Sequence, residues 1–411
     1  MHIDLPEETK ALRDDLRAYL TTIMTPELAE ELRHLEAGEG GELHAKALKK
    51  IAADGWLGMG WPKEFGGQGR SAIDQYVFFE EFQRVGLAFP ILTICSVAPS
   101  IMTFGNDEQK AHYLPRILRG ELEFAIGYTE PDAGTDLGSL KTSAIRRADD
   151  YIVNGQKVFT SHGQSADYIW LAARTDPDAT KHKGISILIV DRRSPGITVT
   201  PMRTLGDNYT SSVFFDNVRV PAKQLVGKEH KGWRIATSQL NYERVAIAST
   251  GHVARLLEEV VQWAKETPAP EGGRIMDRAW VRTALAKIKA GLDVIELQNW
   301  KQAWAIDNDR LQPAEASALK VNSSEFFVEA YRLFMEVLGE QSSIKQTSPG
   351  AVLRAQAERY YRARRHGPWT SSIRLRRIRE PARWIFSKAK SKRTCAQRFD
   401  AFSRVALLRR P

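Results

Sequence analysis

Cysteine is almost missing from this chain of 411 residues: there are two, Cys95 and Cys395, far apart and without ligand-like spacing. That scarcity excludes a disulfide framework and a thiolate zinc site, and it fits a reducing compartment. No metal site of any other kind is expected either. Long apolar runs are also lacking, so no membrane span is expected, and the opening "MHIDLPEETKALRDDLRAYL" reads as a charged amphipathic helix rather than a secretion signal. A cytoplasmic protein is therefore expected. Nucleotide signatures are absent too: there is no G-x-G-x-x-G and no Walker lysine motif, and "FGGQG" at 65–69 reads as a helix-breaking turn.

What is present is enough apolar material for several cores. Hydrophobic residues make up 43% and aromatics 9%, and this length implies two or three domains. The formal net charge of +9 is concentrated at one end. Residues 364–411 hold 15 Lys or Arg against Glu380 and Asp400, whereas residues 1–363 carry 44 basic and 48 acidic groups, a net of −4. A basic terminus can serve nucleic acid or an anionic surface. Here it carries no fold motif and little patterning, and no nucleic-acid partner is expected.

Periodicity divides the rest. Up to about residue 120, segments such as "PEETKALRDDLRAYL" and "AIDQYVFFEEFQRVG" repeat apolar positions at three and four, the helical signature. The period then falls to two. "YIVNGQKVFTS" predicts two short strands about an Asn154-Gly155 hairpin turn, followed by "DYIWLAART", "GISILIVDRR", "GITVTPM" and "SSVFFDNVRVP". From Gly232 the helical period returns in a run predicted to exceed 30 residues, with further helices near 276–310, 314–339 and 350–363. The expected fold class is α+β. Its parts are an N-terminal helical domain (1–121), a small central β-sandwich or barrel (122–231), a C-terminal four-helix bundle (232–363) and a basic tail (364–411).

One residue in the long helical run stands out. In "SQLNYERVAIA", Glu243 falls in line with Leu240, Ala246 and Ile247 rather than beside Arg244, so it lacks an obvious local partner. It reads either as a solvated or distantly paired helix residue or as a desolvated acid whose pKa rises toward neutrality, which makes a carboxylate an effective base. The residues alone leave both open.

Four segments, "GYTEPDAGTDLGSL" (127–140), "YIVNGQKVFTS" (151–161), "FFDNVRVP" (214–221) and "LNYERV" (240–245), resemble the acyl-CoA dehydrogenase family in order and near spacing. The likeness covers residues 1 to about 363. Within the family the chain is most similar to bacterial enzymes acting on CoA thioesters of sterol side chains, through "GWPKEFGGQG", "GYTEP" and "KHKGISILIVD". The resemblance implies FAD held between the β domain and the helical bundle, and an acyl-CoA substrate. It also implies α-proton removal with hydride transfer to the flavin to give a trans-2-enoyl-CoA, and electrons passed to an electron-transfer flavoprotein. It places Tyr128, Thr129, Gly134 and Thr135 in the flavin-contacting loop. Phe159, Thr160 and Ser161 then fall where an aromatic ring and a hydroxyl meet the isoalloxazine. Without the resemblance, "TEPDAGTD" reads as an Asp/Gly turn and Phe159 as a strand core residue. The family places its base at one of two positions, and one of them falls on Glu243. Arg244 would be a buried structural cation near the site or an ordinary inter-helix salt-bridge partner.

Two departures bear on assembly. The R-x-x-F-G segment that supplies an arginine to the FAD diphosphate is replaced by "KETPAPEGGRIMDRAW" (265–280), as in paired members that work as α2β2 heterotetramers with a companion subunit. The glycine-rich "FGGG" loop is also lost where the sequence turns arginine-rich at about Arg364, which reads as an altered reading frame or a degraded terminus. The competing classes are a catalytically silent or cofactor-deficient partner subunit, a binding protein acting through its basic tail, and, within the enzymes, an acyl-CoA oxidase.

Overall fold

The computed structural model describes residues 4–34, 41–206, 209–247, 249–344, 348 and 350–366. The side chains of 33–34, 240–247, 313, 354 and 364–366 lie outside that description.

The N-terminal helices are α1 (Glu7–Ile23), α2 (Pro26–His34), α3 (Glu42–Ala53), α4 (Ala72–Val85), α5 (Ala98–Phe104) and α6 (Asp107–Leu118). Their spacing explains them: Leu12, Leu16, Leu20 and Ile23 place one buried stripe on α1. Ser71 caps α4 by accepting from the Asp74 N–H, and Gly86 ends it in the left-handed region. A π-helical turn, Thr93–Val97, runs straight into α5. The "FGGQG" segment is the turn expected of it, Gly67 and Gly69 donating to the carbonyls of Pro62 and Trp61.

The β region comprises β1 (Phe124–Gly127), β2 (Ser143–Arg147), β3 (Asp150–Thr160), β4 (Tyr168–Arg174), β5 (Ile185–Asp191), β6 (Ile197–Arg203), β7 (Tyr209–Pro221) and β8 (Leu225–Val226). They form one hydrogen-bonded sheet in the order β6-β7-β3-β2-β4-β5-β8, with β1 parallel to β4. β5 and β7 touch although three strands separate them in that order, so the sheet is folded over itself. Tyr151, Val153, Leu171, Val190, Val213 and Val218 fill the space between.

The predicted hairpin at Asn154-Gly155 is not formed. β3 runs through it as a single strand, and the pair makes a β-bulge against β7. Gly155 takes φ +147°, where a Cβ would lie 2.6 Å from Thr142 Oγ1. Across the ladder Asn217, itself at φ +51°, donates its N–H to the Asn154 side chain at 2.8 Å. The Asn-Gly pair supplies the unusual backbone angle it signals, but it is spent on a bulge because both flanks pair with the same partner strand.

The long C-terminal run is likewise not one helix. α7 (Gly232–Ile247) and α8 (Gly251–Glu266) are separate. At the joint, Ser249 Oγ, Thr250 N and Thr250 Oγ1 all donate to the Glu80 carboxylate of α4. Gly251 packs so closely that a Cβ there would lie 2.1 Å from the Glu80 carbonyl. α9 (Ala279–Asp307), α10 (Pro313–Leu338) and α11 (Gln356–His366) complete the bundle around Val260, Ile288, Phe327 and Phe334. Helix α11 continues to His366, across the point where the composition turns basic; the tail reading for 367–411 lies outside the described residues.

Candidate active site

The loop after β1 is fastened to β3 by a buried ion pair. Lys157 is fully buried on β3, and its Nζ lies 2.8 Å from Glu130 Oε1 and 3.0 Å from the Tyr128 carbonyl. Glu130 also accepts from the N–H groups of Lys141 (2.6 Å) and Thr142 (2.9 Å). Burial pushes the Lys157 ammonium down to about 8 against the pull of Glu130. Burial acts to raise the Glu130 carboxyl, but the Lys157 charge and the surrounding hydrogen bonds outweigh it and hold that carboxyl below its ordinary value. The Val158 N–H donates to the Thr129 carbonyl at 2.8 Å. Residues 128–130 are thereby laid along β3.

Directly beyond, the β3–β7 register slips between Lys157 and Thr160. Phe159 sits in that second bulge at φ +56° with 56% of its surface exposed. A non-glycine residue held there costs on the order of 1–3 kcal/mol, and such strain clusters at functional sites. Thr160 is buried, and its hydroxyl has no hydrogen-bond partner among the described residues, while Ser161 is exposed. Across the loop, Thr129 is half-buried and Thr135 exposed, and Gly134 approaches the Thr129 methyl. An exposed aromatic ring flanked by accessible hydroxyls fits a planar heteroaromatic cofactor such as a flavin.

Tyr128 faces the other way. It is buried, accepts from the Trp170 indole at 3.1 Å and donates its hydroxyl to Gln239 Oε1 on α7. Gln239 Nε2 in turn donates to Ser96 Oγ in the π-helical turn at 2.8 Å. Position 243 lies one helical turn beyond Gln239 on α7. The backbone carrying Glu243 and Arg244 is helical as predicted; their side chains lie outside the described residues. Sequence reasoning gave no role to Lys157, Glu130, Gln239 or Ser96. A lysine at an inward position of an otherwise apolar strand is the signal that could have flagged the first.

A cavity of about 610 Å³ lies within the helical region, against Trp61, Phe78, Phe79, Ile94, Cys95 and Met102. Among the described residues its lining includes none of Tyr128, Thr129, Gly134, Thr135, Phe159, Thr160 and Ser161, and the π-helical turn presents Ile94 and Cys95 to it but Ser96 to Gln239. Within "KETPAPEGGRIMDRAW", Arg274 donates to the Glu266 carbonyl at 2.6 Å and Arg278 pairs with Glu271, so both arginines there have local partners.

Comparison with known proteins agrees with this layout. Three family models match in succession: the acyl-CoA dehydrogenase N-terminal domain at residues 6–121, the middle domain at 125–218 and the C-terminal domain at 230–370. The chain belongs to the acyl-CoA dehydrogenase family. Its relatives are named acyl-CoA dehydrogenases, which are oxidoreductases. The chain is 47% identical to acyl-CoA dehydrogenase FadE26 of Mycobacterium tuberculosis over 370 residues, covering 88% of this chain and 92% of that protein. Among solved structures it is similar to the ChsE4-ChsE5 complex of Mycobacterium tuberculosis, with TM-score 0.84, 46% identity and coverage of 92% of this chain and 97% of that one. It is also similar to the Tcur3481-Tcur3483 steroid acyl-CoA dehydrogenase, with TM-score 0.83, 42% identity and coverage of 93% and 100%. Among the described residues no helix is long and apolar enough to cross a membrane, and no cluster of side chains has the makings of a metal site.

Proposed function

We propose that this chain is the catalytic subunit of a heteromeric acyl-CoA dehydrogenase that introduces a trans-2,3 double bond into the CoA thioester of a steroid side chain. Glu243 removes the α-proton, and the β-carbon gives up a hydride. FAD, when bound, supplies the acceptor for that hydride. The chain's own groups would hold the ring: Phe159 through its aromatic side chain, and Thr129, Gly134, Thr135, Thr160 and Ser161 through main-chain and hydroxyl groups at the loop–strand junction. The electrons then leave to an electron-transfer flavoprotein. Arg244, next along α7, serves the site as a structural cation.

The observation that carries this reading is the strained, exposed Phe159 beside the clamped loop 128–130, reached by α7 through the Tyr128–Gln239 bond. The steroid assignment draws on the named relatives. The companion subunit draws on those relatives being complexes, and on the two arginines of 265–280 being held by local partners rather than free for a diphosphate. The surface such a companion would cover is α9, where Trp280, Val294, Leu297 and Trp304 are all exposed on one face.

The test is co-expression with a candidate companion. The purified complex is expected to be yellow and to bleach anaerobically with a steroid side-chain acyl-CoA, without consuming oxygen in air. Glu243→Gln keeps the colour and stops the bleaching. Bleaching by that variant removes the base assignment, and a colourless wild-type complex removes the flavin reading.

A further inference from the structure

Ser96, Tyr128, Trp170 and Gln239 form a buried polar chain where the three parts of the protein meet. Ser96 belongs to the π-helical turn, Tyr128 to the loop after β1, Trp170 to β4 and Gln239 to α7, and their exposures are 0%, 8%, 0% and 1%. Each link is directional. The Trp170 indole donates to the Tyr128 hydroxyl, that hydroxyl donates to Gln239 Oε1, and Gln239 Nε2 donates to Ser96 Oγ. The π-helical turn is anchored from two further sides, since Thr93 Oγ1 accepts from the Phe124 N–H of β1 at 2.9 Å and the Trp61 indole donates to the Ile94 carbonyl at 3.1 Å. π-Helical turns concentrate at functional sites. A buried amide is a poor way to gain stability, because a hydrocarbon of the same shape would pack there without a desolvation cost. What the amide gives instead is a unique docking: only one height and rotation of α7 satisfies both of its bonds.

We propose that Gln239 is a positioning residue for proton abstraction. Its amide pins α7 to the π-helical turn and to Tyr128 at once, and so fixes where residue 243 stands relative to the loop 128–135. The inference rests on the reading of Glu243 as the base. Tyr128 then does double duty, its carbonyl held by Lys157 and its hydroxyl holding α7, so the flavin loop and the base-bearing helix share one anchor.

The experiment uses the FAD-loaded complex with its companion and measures the rate of flavin bleaching by acyl-CoA across pH. Gln239→Met, of similar shape, is expected to keep wild-type flavin content while bleaching about 10- to 100-fold more slowly, the loss typical of an ångström-scale misplacement. The midpoint of its pH–rate profile is expected to move, because a displaced α7 changes the surroundings of the group that takes the proton. A merely structural amide would lower thermal stability and leave that midpoint alone. Ser96→Ala cuts one of the same links, so combining it with Gln239→Met should slow bleaching no further than Gln239→Met alone. Wild-type rate and midpoint in Gln239→Met, or losses that multiply in the double variant, overturn the proposal. Should Gln239→Met fail to accumulate folded, Tyr128→Phe removes a single oxygen from the chain and carries the same two readouts. Glu243→Gln run in parallel separates the two ideas: if it still bleaches, the base assignment falls and this inference with it; if it does not and Gln239→Met behaves as wild type, only this inference falls.

Discussion

Lys157 is an unusual residue to bury, and its cost explains its use. A lysine with no exposed surface survives only with a partner, and Glu130 and the Tyr128 carbonyl provide both charge and hydrogen bonds. Lys157→Met is expected to destabilise the protein by about 3–5 kcal/mol, because it leaves Glu130 buried without its counter-charge; the shift of the urea unfolding midpoint measures this. The pH dependence follows from the lowered Glu130 pKa. A carboxyl held below its unfolded value of 4.5 contributes stability that is fully present above that pH and is lost as pH falls through the folded value. The stability gap between wild type and Glu130→Gln should therefore narrow below pH 4.5, and a gap that widens on acidification contradicts the ion-pair account. At this scale the sequence was half legible. Phe159, Thr160 and Ser161 could be singled out by likeness, whereas the strain that distinguishes Phe159 resides in φ, which no residue type announces when it is not glycine or asparagine.

Among the elements, the two wrong expectations share a cause. Periodicity and turn dipeptides are local, and both Asn154-Gly155 and Ser249-Thr250-Gly251 owe their conformations to groups distant in sequence. Asn217 and Thr142 turn the first into a bulge, and Glu80 turns the second into a break between α7 and α8. The four-residue β1 and the partly charged β2 were too short or too polar to register; parallel pairing with β4 recruits the first and antiparallel pairing with β3 the second. Helix α9, with eight buried apolar positions spread along its length, was legible for the opposite reason: its pattern is repeated often enough to outweigh local exceptions. The joint yields a prediction at its own scale. Gly251→Ala forces α8 away from the α4 carbonyl it rests on, and should cost about 1–3 kcal/mol as overpacking. Because Gly251 lies outside the proposed site, FAD content per folded complex should stay near wild type while the thermal midpoint falls; an unchanged midpoint would mean that α4 and α8 have room to give.

For the molecule as a whole, the order α, β, α was readable because the change of period coincides with the change of domain, and the family motifs straddle both changes. The expectation of a companion subunit came only from what was missing, an arginine segment and a glycine-rich loop. The surface gives a positive counterpart. Helix α9 buries Val281, Leu285, Ile288 and Leu292 in the bundle while leaving Trp280, Val294, Leu297 and Trp304 in water, and Arg310 lies over the Trp304 ring at 5.7 Å. Four large apolar side chains on one face of a single helix are more than scattered surface hydrophobics need, and covering them by a companion subunit would remove them from water at roughly 1.5–3 kcal/mol for each side chain fully buried. Leu297→Glu with Trp304→Glu should leave the folded chain intact, since neither side chain contributes to the core, yet should release it from the complex or halve the complex in size. Light scattering on the co-expressed proteins reads this directly. Loss of flavin colour together with loss of assembly would tie the cofactor to the interface, whereas an assembly of unchanged mass would place the companion on a different face.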